Sequence, residues 1–501
     1  MTLSEATAKL TELQRTMHAY NHAIGVLSLD SSTAAPEDTA KGRGETLAVL
    51  SATSYQLFAN PEVGELLDFL NAHKAELTPQ QARETEVLTR DYEQRSKVPQ
   101  DEYVAFERLT NEAGQVWRRA KKNNDYASFQ PYLERIVAAC KKLSGYYKPG
   151  ENPYNVWLDK HERGLTIDQL DEFFSTLRAT IVPLVHRIQS EAEPVRDDFL
   201  HGEFPIWKQR IFSDYLMEVL GIDRSHCAIA ETEHPFTTSF NKYDARITTH
   251  YYPDDMANSM YSVVHESGHA IYEMHTDDSL MYTCLEGGAS MGVHESQSRL
   301  FENMIGRSEA FVELIFPKVQ ELFPEQFADV TAQEFYRAIN QCKPSLIRIY
   351  ADELTYCLHI MVRYEAEKKL FSGEVSTAEL PALWAQLMKE YLGVDVPDDT
   401  NGLLQDVHWS GAEMGYFPSY AIGTAYAAQI MHKMRQELDV DAVIRSGNLS
   451  PIVGWLTEHI YRFGRSKDPD RIILDCCNEP FDPKYYTDYL SEKFKAIYRL
   501  K

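Results

Sequence analysis

A helix that must be buried, and that nevertheless carries two histidines and a glutamate, constrains this chain more than any other feature. Residues 256–275 place Met260, Tyr261, Val263, Val264, Ala270, Ile271 and Tyr272 round most of the helix circumference. That pattern predicts a helix with little face left for water. Within it runs Val264-His265-Glu266-Ser267-Gly268-His269-Ala270. Polar groups are costly in a core unless they are satisfied. Side chains four residues apart share a helix face, so His265 and His269 can direct two imidazoles at one ion. Glu266 lies about 100° round the helix, where its carboxylate reaches a water on the ion rather than the ion itself. Zinc lowers the pKa of such a water toward neutrality, and the carboxylate can take its proton as it attacks a carbonyl. The expectation is a hydrolytic zinc site. A chance match on a buried helix is the alternative.

A catalytic zinc takes three protein ligands and leaves one position open. His275 stands where a longer H-E-x-x-H-x-x-G-x-x-H pattern puts its third histidine, but Tyr272 replaces the turning glycine. On a helix that continues, His275 points roughly 80° away and lies about 15 Å further along the axis, which makes it a bystander. Glu273 shares the face and can at best orient the second nitrogen of His269, or simply face solvent. Glu286 precedes the glycine-rich loop Gly287-Gly288-Ala289-Ser290. Glu295 follows that loop and sits in a second helical run, so it is the expected third ligand.

The remaining chain reads as mostly helical. Leu3, Ala6, Leu10, Leu13, Met17, Tyr20, Ile24 and Leu27 follow 3-4 spacing and predict a long first helix that ends before Pro36. His18 and His22 on that helix are also four apart but lack a carboxylate at the catalytic offset. Thr166 caps another helix. Segments 236–240 and 245–249 are β-branched and alternating, joined by Asn241-Lys242-Tyr243-Asp244, and predict a hairpin beside the metal helix. Helices are expected over 256–275 and 294–312, with tight loops at 397–402 and at Phe417-Pro418. No linker or repeat divides the chain. The expectation is one unit over 1–501, with a helical part to about 230 and a hairpin and catalytic part from about 231.

A net charge of −25 argues against nucleic acid or an anionic membrane as partner. The seven cysteines form no C-x-x-C pair, and no secretory or membrane-spanning stretch is visible, which suggests a reduced, cytoplasmic protein.

Six short segments then fall in order: His234-Pro235-Phe236, Asp244-Ala245-Arg246-Ile247-Thr248, the metal motif, His294-Glu295-Ser296-Gln297, Ile347-Arg348-Ile349-Tyr350-Ala351-Asp352, and Gly402-Leu403-Leu404-Gln405-Asp406-Val407-His408-Trp409. Together, over about 175 residues, they resemble the signatures of the thermostable carboxypeptidases, the carboxypeptidase Taq family of zinc metallopeptidases. The resemblance implies a metallocarboxypeptidase of broad specificity that removes single residues from peptides with a free C-terminal carboxylate. It implies one zinc per chain, replaceable by cobalt, held by His265, His269 and Glu295, with Glu266 assisting the attacking water. It also implies a mostly α fold with a deep central groove like that of neurolysin and angiotensin-converting enzyme, and often a homodimer. In some relatives of the wider superfamily an acidic residue four past the ligand glutamate supports the site. Here that position is Arg299, so such a partner must come from elsewhere.

A terminal carboxylate is best bound by arginine. Arg348 and Arg246 stand in otherwise apolar or β-like contexts and are the candidates, a structural ion pair such as Arg348 with Asp352 being the alternative. His408 and Tyr420 are candidate oxyanion donors, with Tyr416 a near alternative and a packed core tyrosine the plain reading of either. His234 either binds substrate or caps the hairpin. An endopeptidase would share the metal site and accept blocked C-termini. A non-catalytic metal scaffold would have no use for Glu266.

Overall fold

The computed structural model describes residues 1–500 and is mostly helical, with one three-stranded sheet. The first helix spans Leu3–Thr33, opened by a capping box in which Thr2 and Glu5 satisfy each other's main-chain N–H groups. With the helices Ala40–Phe58, Pro61–Ala72 and Pro79–Ser96 it encloses a small core of its own, including Leu10, Phe58, Leu66, Leu70 and Leu88. This core is separate from the large one that runs from Val98 to Phe494. Polar contacts join the two: the Cys284 N–H donates to Gln14 Oε1 at 2.8 Å, and Arg83 donates to Asp468 at 2.6 Å. Thr166 caps its helix as its sequence implied.

Strands β1 (Cys227–Glu231), β2 (Thr237–Asn241) and β3 (Asp244–Thr249) lie in the order β1-β3-β2. β2 and β3 form the expected hairpin, with a register shift between Ser239 and Asn241, and β1 pairs parallel to β3. Ala245 and Ile247 are fully buried, and the hairpin packs on the metal-motif helix, Met256–Met274. Asp255 starts that helix by accepting the Asn258 N–H.

The segment 294–312 is not one helix. A glutamate helix, Met291–Arg299, passes into a π-helical stretch, Leu300–Gly306, and a fresh helix, Glu309–Leu322, starts at the Ser308 cap. Phe417 and Pro418 form no loop but begin a helix, Phe417–Glu437, because proline needs no N–H bond in a first turn.

The glutamate helix is held between two others by missing side chains. A Cβ on Gly268 of the metal-motif helix would sit 2.7 Å from the Gln297 carbonyl oxygen and the Ser298 Cα. A Cβ on Gly423, in Phe417–Glu437, would sit 2.7 Å from the Gly292 carbonyl oxygen and 2.8 Å from the Glu295 Cβ. At its N-terminus the Gly292 N–H donates to the buried Glu162 carboxylate at 2.8 Å, whose pKa burial pushes up to about 7. Among the described residues no helix is long and apolar enough to cross a membrane.

These approaches make a clear prediction. Gly268→Ala should force the two helices apart, lowering stability by about 1–3 kcal/mol and weakening metal binding. Gly454→Ala, on a helix with open space round the new methyl, should be neutral or slightly stabilising. Thermal melts and metal titrations of both variants give the comparison.

Candidate active site

His265 and His269 turn their Nε2 atoms toward Oε2 of Glu295, at 3.8 and 3.6 Å. One donor atom from each of the three lies within 4.8 Å of the others. Donors bonded to a tetrahedral zinc at about 2.0–2.2 Å stand roughly 3.3 Å apart, so this set fits a small divalent ion with little rearrangement. His275 closes the helix, and its Nδ1 meets the Ile271 carbonyl at 2.7 Å, outside the cluster. Glu286 accepts the Tyr282 N–H within its own loop.

Each histidine is held from behind. His265 Nδ1 lies 2.8 Å from Glu302 Oε2. A carboxylate only accepts, so Nδ1 carries the proton and Nε2 offers its lone pair. Glu302, on the π-helical turn, also pairs with Arg299 at 3.2 Å and Arg307 at 3.3 Å. Arg299 Nε donates to Glu295 Oε1 at 2.7 Å, so one guanidinium spans both carboxylates. His269 Nδ1 meets His294 Nδ1 at 2.6 Å, and His294 Nε2 lies 2.7 Å from Glu273 Oε1. Glu273 therefore reaches His269 only through His294, and it is largely covered rather than exposed.

Burial works against a charged His265, but Glu295 and Glu302 outweigh it and raise its pKa. Burial would likewise raise Glu302, yet Arg299, His265 and Arg307 hold it well below the usual carboxylate range. Glu266 is raised by burial, countered in part by His265 and by the Thr237 hydroxyl 2.6 Å from its Oε2. Glu295 and Glu302 pair with Arg299 and Arg307, and Glu266 adds a third carboxylate beside His265, a balance that suits a cation.

A second cluster adjoins this one. Arg299 lies over the Tyr356 ring at 4.2 Å, and the Tyr356 hydroxyl accepts from Arg348 Nη1 at 3.3 Å. Arg348 donates through Nε and Nη2 to Asp406 Oδ1 at 3.0 and 2.8 Å, while Arg363 takes Oδ2. The Arg348 guanidinium lies 5.2 Å from the centre of the Tyr420 ring. The Tyr420 hydroxyl and His408 Nε2 are 3.5 Å apart, and burial lowers the His408 pKa to about 4. Arg348, Tyr420 and His408 thus share one wall, linked through Tyr356 to the metal candidates.

The model of the carboxypeptidase Taq (M32) metallopeptidases matches residues 9–494. The chain belongs to that family. It is 40% identical over 489 residues to carboxypeptidase 1 of Bacillus subtilis strain 168, covering 97% of both chains. It is 32% identical over 495 residues to thermostable carboxypeptidase 1 of Pyrococcus furiosus, covering 98% of this chain and 99% of the relative. The solved M32 carboxypeptidase of Deinococcus radiodurans R1 superposes with a TM-score of 0.96 at 33% identity, over 99% of this chain and all of that one. The protein is a metallocarboxypeptidase, and M32 membership implies a divalent metal and peptide substrates.

In this M32 carboxypeptidase the other candidates lie apart. Arg246 pairs with its neighbour Asp244 and lies 5.6 Å over the Phe240 ring, on the hairpin. His234 is exposed, and its carbonyl accepts the Thr232 hydroxyl. His22 stacks on Phe240, and the His18 ring packs edge-on against Tyr282. Arg348 does not pair with Asp352, because its helical turn is only three residues long and gives way to extended Ala351. Asp352 instead accepts the N–H groups of Lys343, Leu354 and Thr355. Sequence reasoning missed Glu302, Arg299 and Tyr356 as partners. Glu302 was findable: it lies seven residues, two helical turns, past Glu295.

The shared carboxylate yields a stability test. Asp406→Asn leaves Arg348 and Arg363 buried without their anion and should cost about 3–5 kcal/mol. Arg348→Ala leaves Asp406 paired with Arg363 and should cost clearly less. Denaturant midpoints measured side by side would show the order.

Proposed function

We propose that this enzyme releases single residues from peptide C-termini with broad tolerance of the side chain, using zinc at His265, His269 and Glu295. The observation that carries the reading is the convergence of those three donors, with Glu266 as the neighbouring residue on the same buried helix. A zinc ion there supplies Lewis-acid polarisation of the carbonyl and acidifies the attacking water. Glu266, steadied by Thr237, takes that water's proton and passes it to the leaving amine. His408 and Tyr420 stand on the adjoining wall as hydrogen-bond donors to the oxygen that gains charge.

The C-terminal preference rests on charge. Two guanidiniums, Arg348 and Arg363, share the one carboxylate of Asp406 and leave one positive charge over. That surplus, beside Tyr420 and linked to the metal candidates through Tyr356, suits a terminal carboxylate. Arg246, already paired on the hairpin, is the weaker candidate, and His234 a peripheral one. We take the peptide to lie in a groove between the four N-terminal helices and the body, as in neurolysin-like enzymes. The two separate hydrophobic cores favour that division within one peptidase unit.

Glu266→Gln should keep its metal while turnover falls by about 10²–10⁴-fold. Normal turnover would mean that another group activates the water. A mass-spectrometric time course on an unblocked peptide should show a ladder of single C-terminal losses. Amidating that peptide removes the terminal charge and should lower kcat/KM by about 30-fold to several thousandfold, the equivalent of about 2–5 kcal/mol. Arg348→Ala should cripple cleavage of the acid and barely touch the amide. Equal cleavage of acid and amide by the wild type would make this an endopeptidase.

A further inference from the structure

The two candidate metal-binding histidines are supported in different ways, and the difference assigns a task to residues outside the metal set. His265 leans directly on a carboxylate. His269 leans on a second imidazole, and only that imidazole reaches a carboxylate. We propose that Glu273 and His294 are positioning residues that act in series to fix the tautomer and ring orientation of His269, so that its Nε2 lone pair faces the metal.

The assignment follows from what each atom can donate. Glu273 Oε1 accepts the Gly288 N–H at 3.1 Å and lies 2.7 Å from His294 Nε2. An ionised carboxylate has no proton to give, so Nε2 of His294 carries the hydrogen. In neutral imidazole the other nitrogen, Nδ1, is then an acceptor. His269 Nδ1, 2.6 Å away, must supply the hydrogen for that contact. With its proton on Nδ1, His269 presents a bare Nε2 on the side where Glu295 Oε2 lies 3.6 Å away. Without the relay, both tautomers of His269 are open to it, and only one binds metal.

The loop after the metal-motif helix is shaped to hold this arrangement. A Cβ on Gly288 would overlap Cδ2 of His294 and sit 3.1 Å from Tyr272 Cε1. Gly287 has φ +87°, and a Cβ there would lie 3.3 Å from Glu273 Oε2. The Tyr272 hydroxyl accepts the Ala289 N–H at 3.1 Å, and its ring packs 5.3 Å from that of His294. The two glycines let main chain close over the relay and supply one of its hydrogen bonds, a role distinct from freedom to move.

The inference rests on the metal reading above, and the test separates the two. Apo-protein is titrated with zinc against a competing chelator, and with cobalt while its visible spectrum is recorded. Wild type should bind one equivalent, and His265→Ala should abolish binding. If His265→Ala binds as wild type does, the metal reading itself fails. With that control in place, His294→Leu and Glu273→Leu should each weaken zinc binding by about 10–100-fold and shift the cobalt spectrum. Because the residues act in series, the double variant should lose no more than the larger single loss. His294→Asn puts an amide oxygen close to where Nδ1 stood and should recover part of the loss, although it no longer reaches Glu273. Wild-type affinity in His294→Leu would overturn the proposal, as would a double variant whose loss is the product of the two. Melting curves of the apo forms identify any variant that has not folded. For such a variant His294→Asn and Glu273→Ala stand in its place, with equal zinc affinity in wild type and both replacements overturning the relay.

Discussion

Two carboxylates buried within reach of one guanidinium are the interaction on which the site depends. Glu295 and Glu302 are both largely covered, and buried carboxylates need partners. Arg299 donates to Glu295 and pairs with Glu302, and Arg307 takes the far oxygen of Glu302. With that charge shared, Glu302 can act as a fixed acceptor for His265 and Glu295 can leave Oε2 facing the imidazoles. Arg299 also faces Tyr356, whose hydroxyl meets Arg348, so the same side chain ties the metal candidates to the wall that carries His408 and Tyr420.

The geometry of that network comes from helix packing. A cation held by two helices requires their axes to approach closely, and side-chain bulk normally prevents it. The glutamate helix is approached on one side by Gly268 and on the other by Gly423, so Glu295 enters the site at main-chain contact distances. The π-helical stretch follows at once and carries Glu302, an example of an irregular turn placed at a chemically active position.

How much of this was legible in the sequence depended on the range of the interaction. The metal-motif helix, the hairpin and the Thr166 cap are written in local periodicity and turn residues, and they stand where that pattern implied. Glu295 followed from the glycine loop and its helical run. β1 was not readable, because Cys227-Ala228-Ile229-Ala230-Glu231 is short and rich in small side chains, and its parallel partner lies beyond a hairpin. The break at 306–308 was overlooked although Gly306 and the capping Ser308 announce it. Asp406 as the partner of Arg348, and His294 as the link between Glu273 and His269, were out of reach. Each depends on how separate elements pack, and no spacing along the chain encodes that.

The two middle positions of His265-Glu266-Ser267-Gly268-His269 are commonly written as free. In this molecule they are not interchangeable fillers. Ser267 is fully buried, and the methyl that any other residue would add at 268 has no room against the next helix. The motif is therefore half of a joint, and its glycine is the mating surface. Copied with an arbitrary residue at that position onto an isolated helix elsewhere, the same pattern would present two imidazoles and a carboxylate but could not bring a glutamate from a neighbouring helix to main-chain distance. The portability of the metal motif is limited by the shape of what it omits.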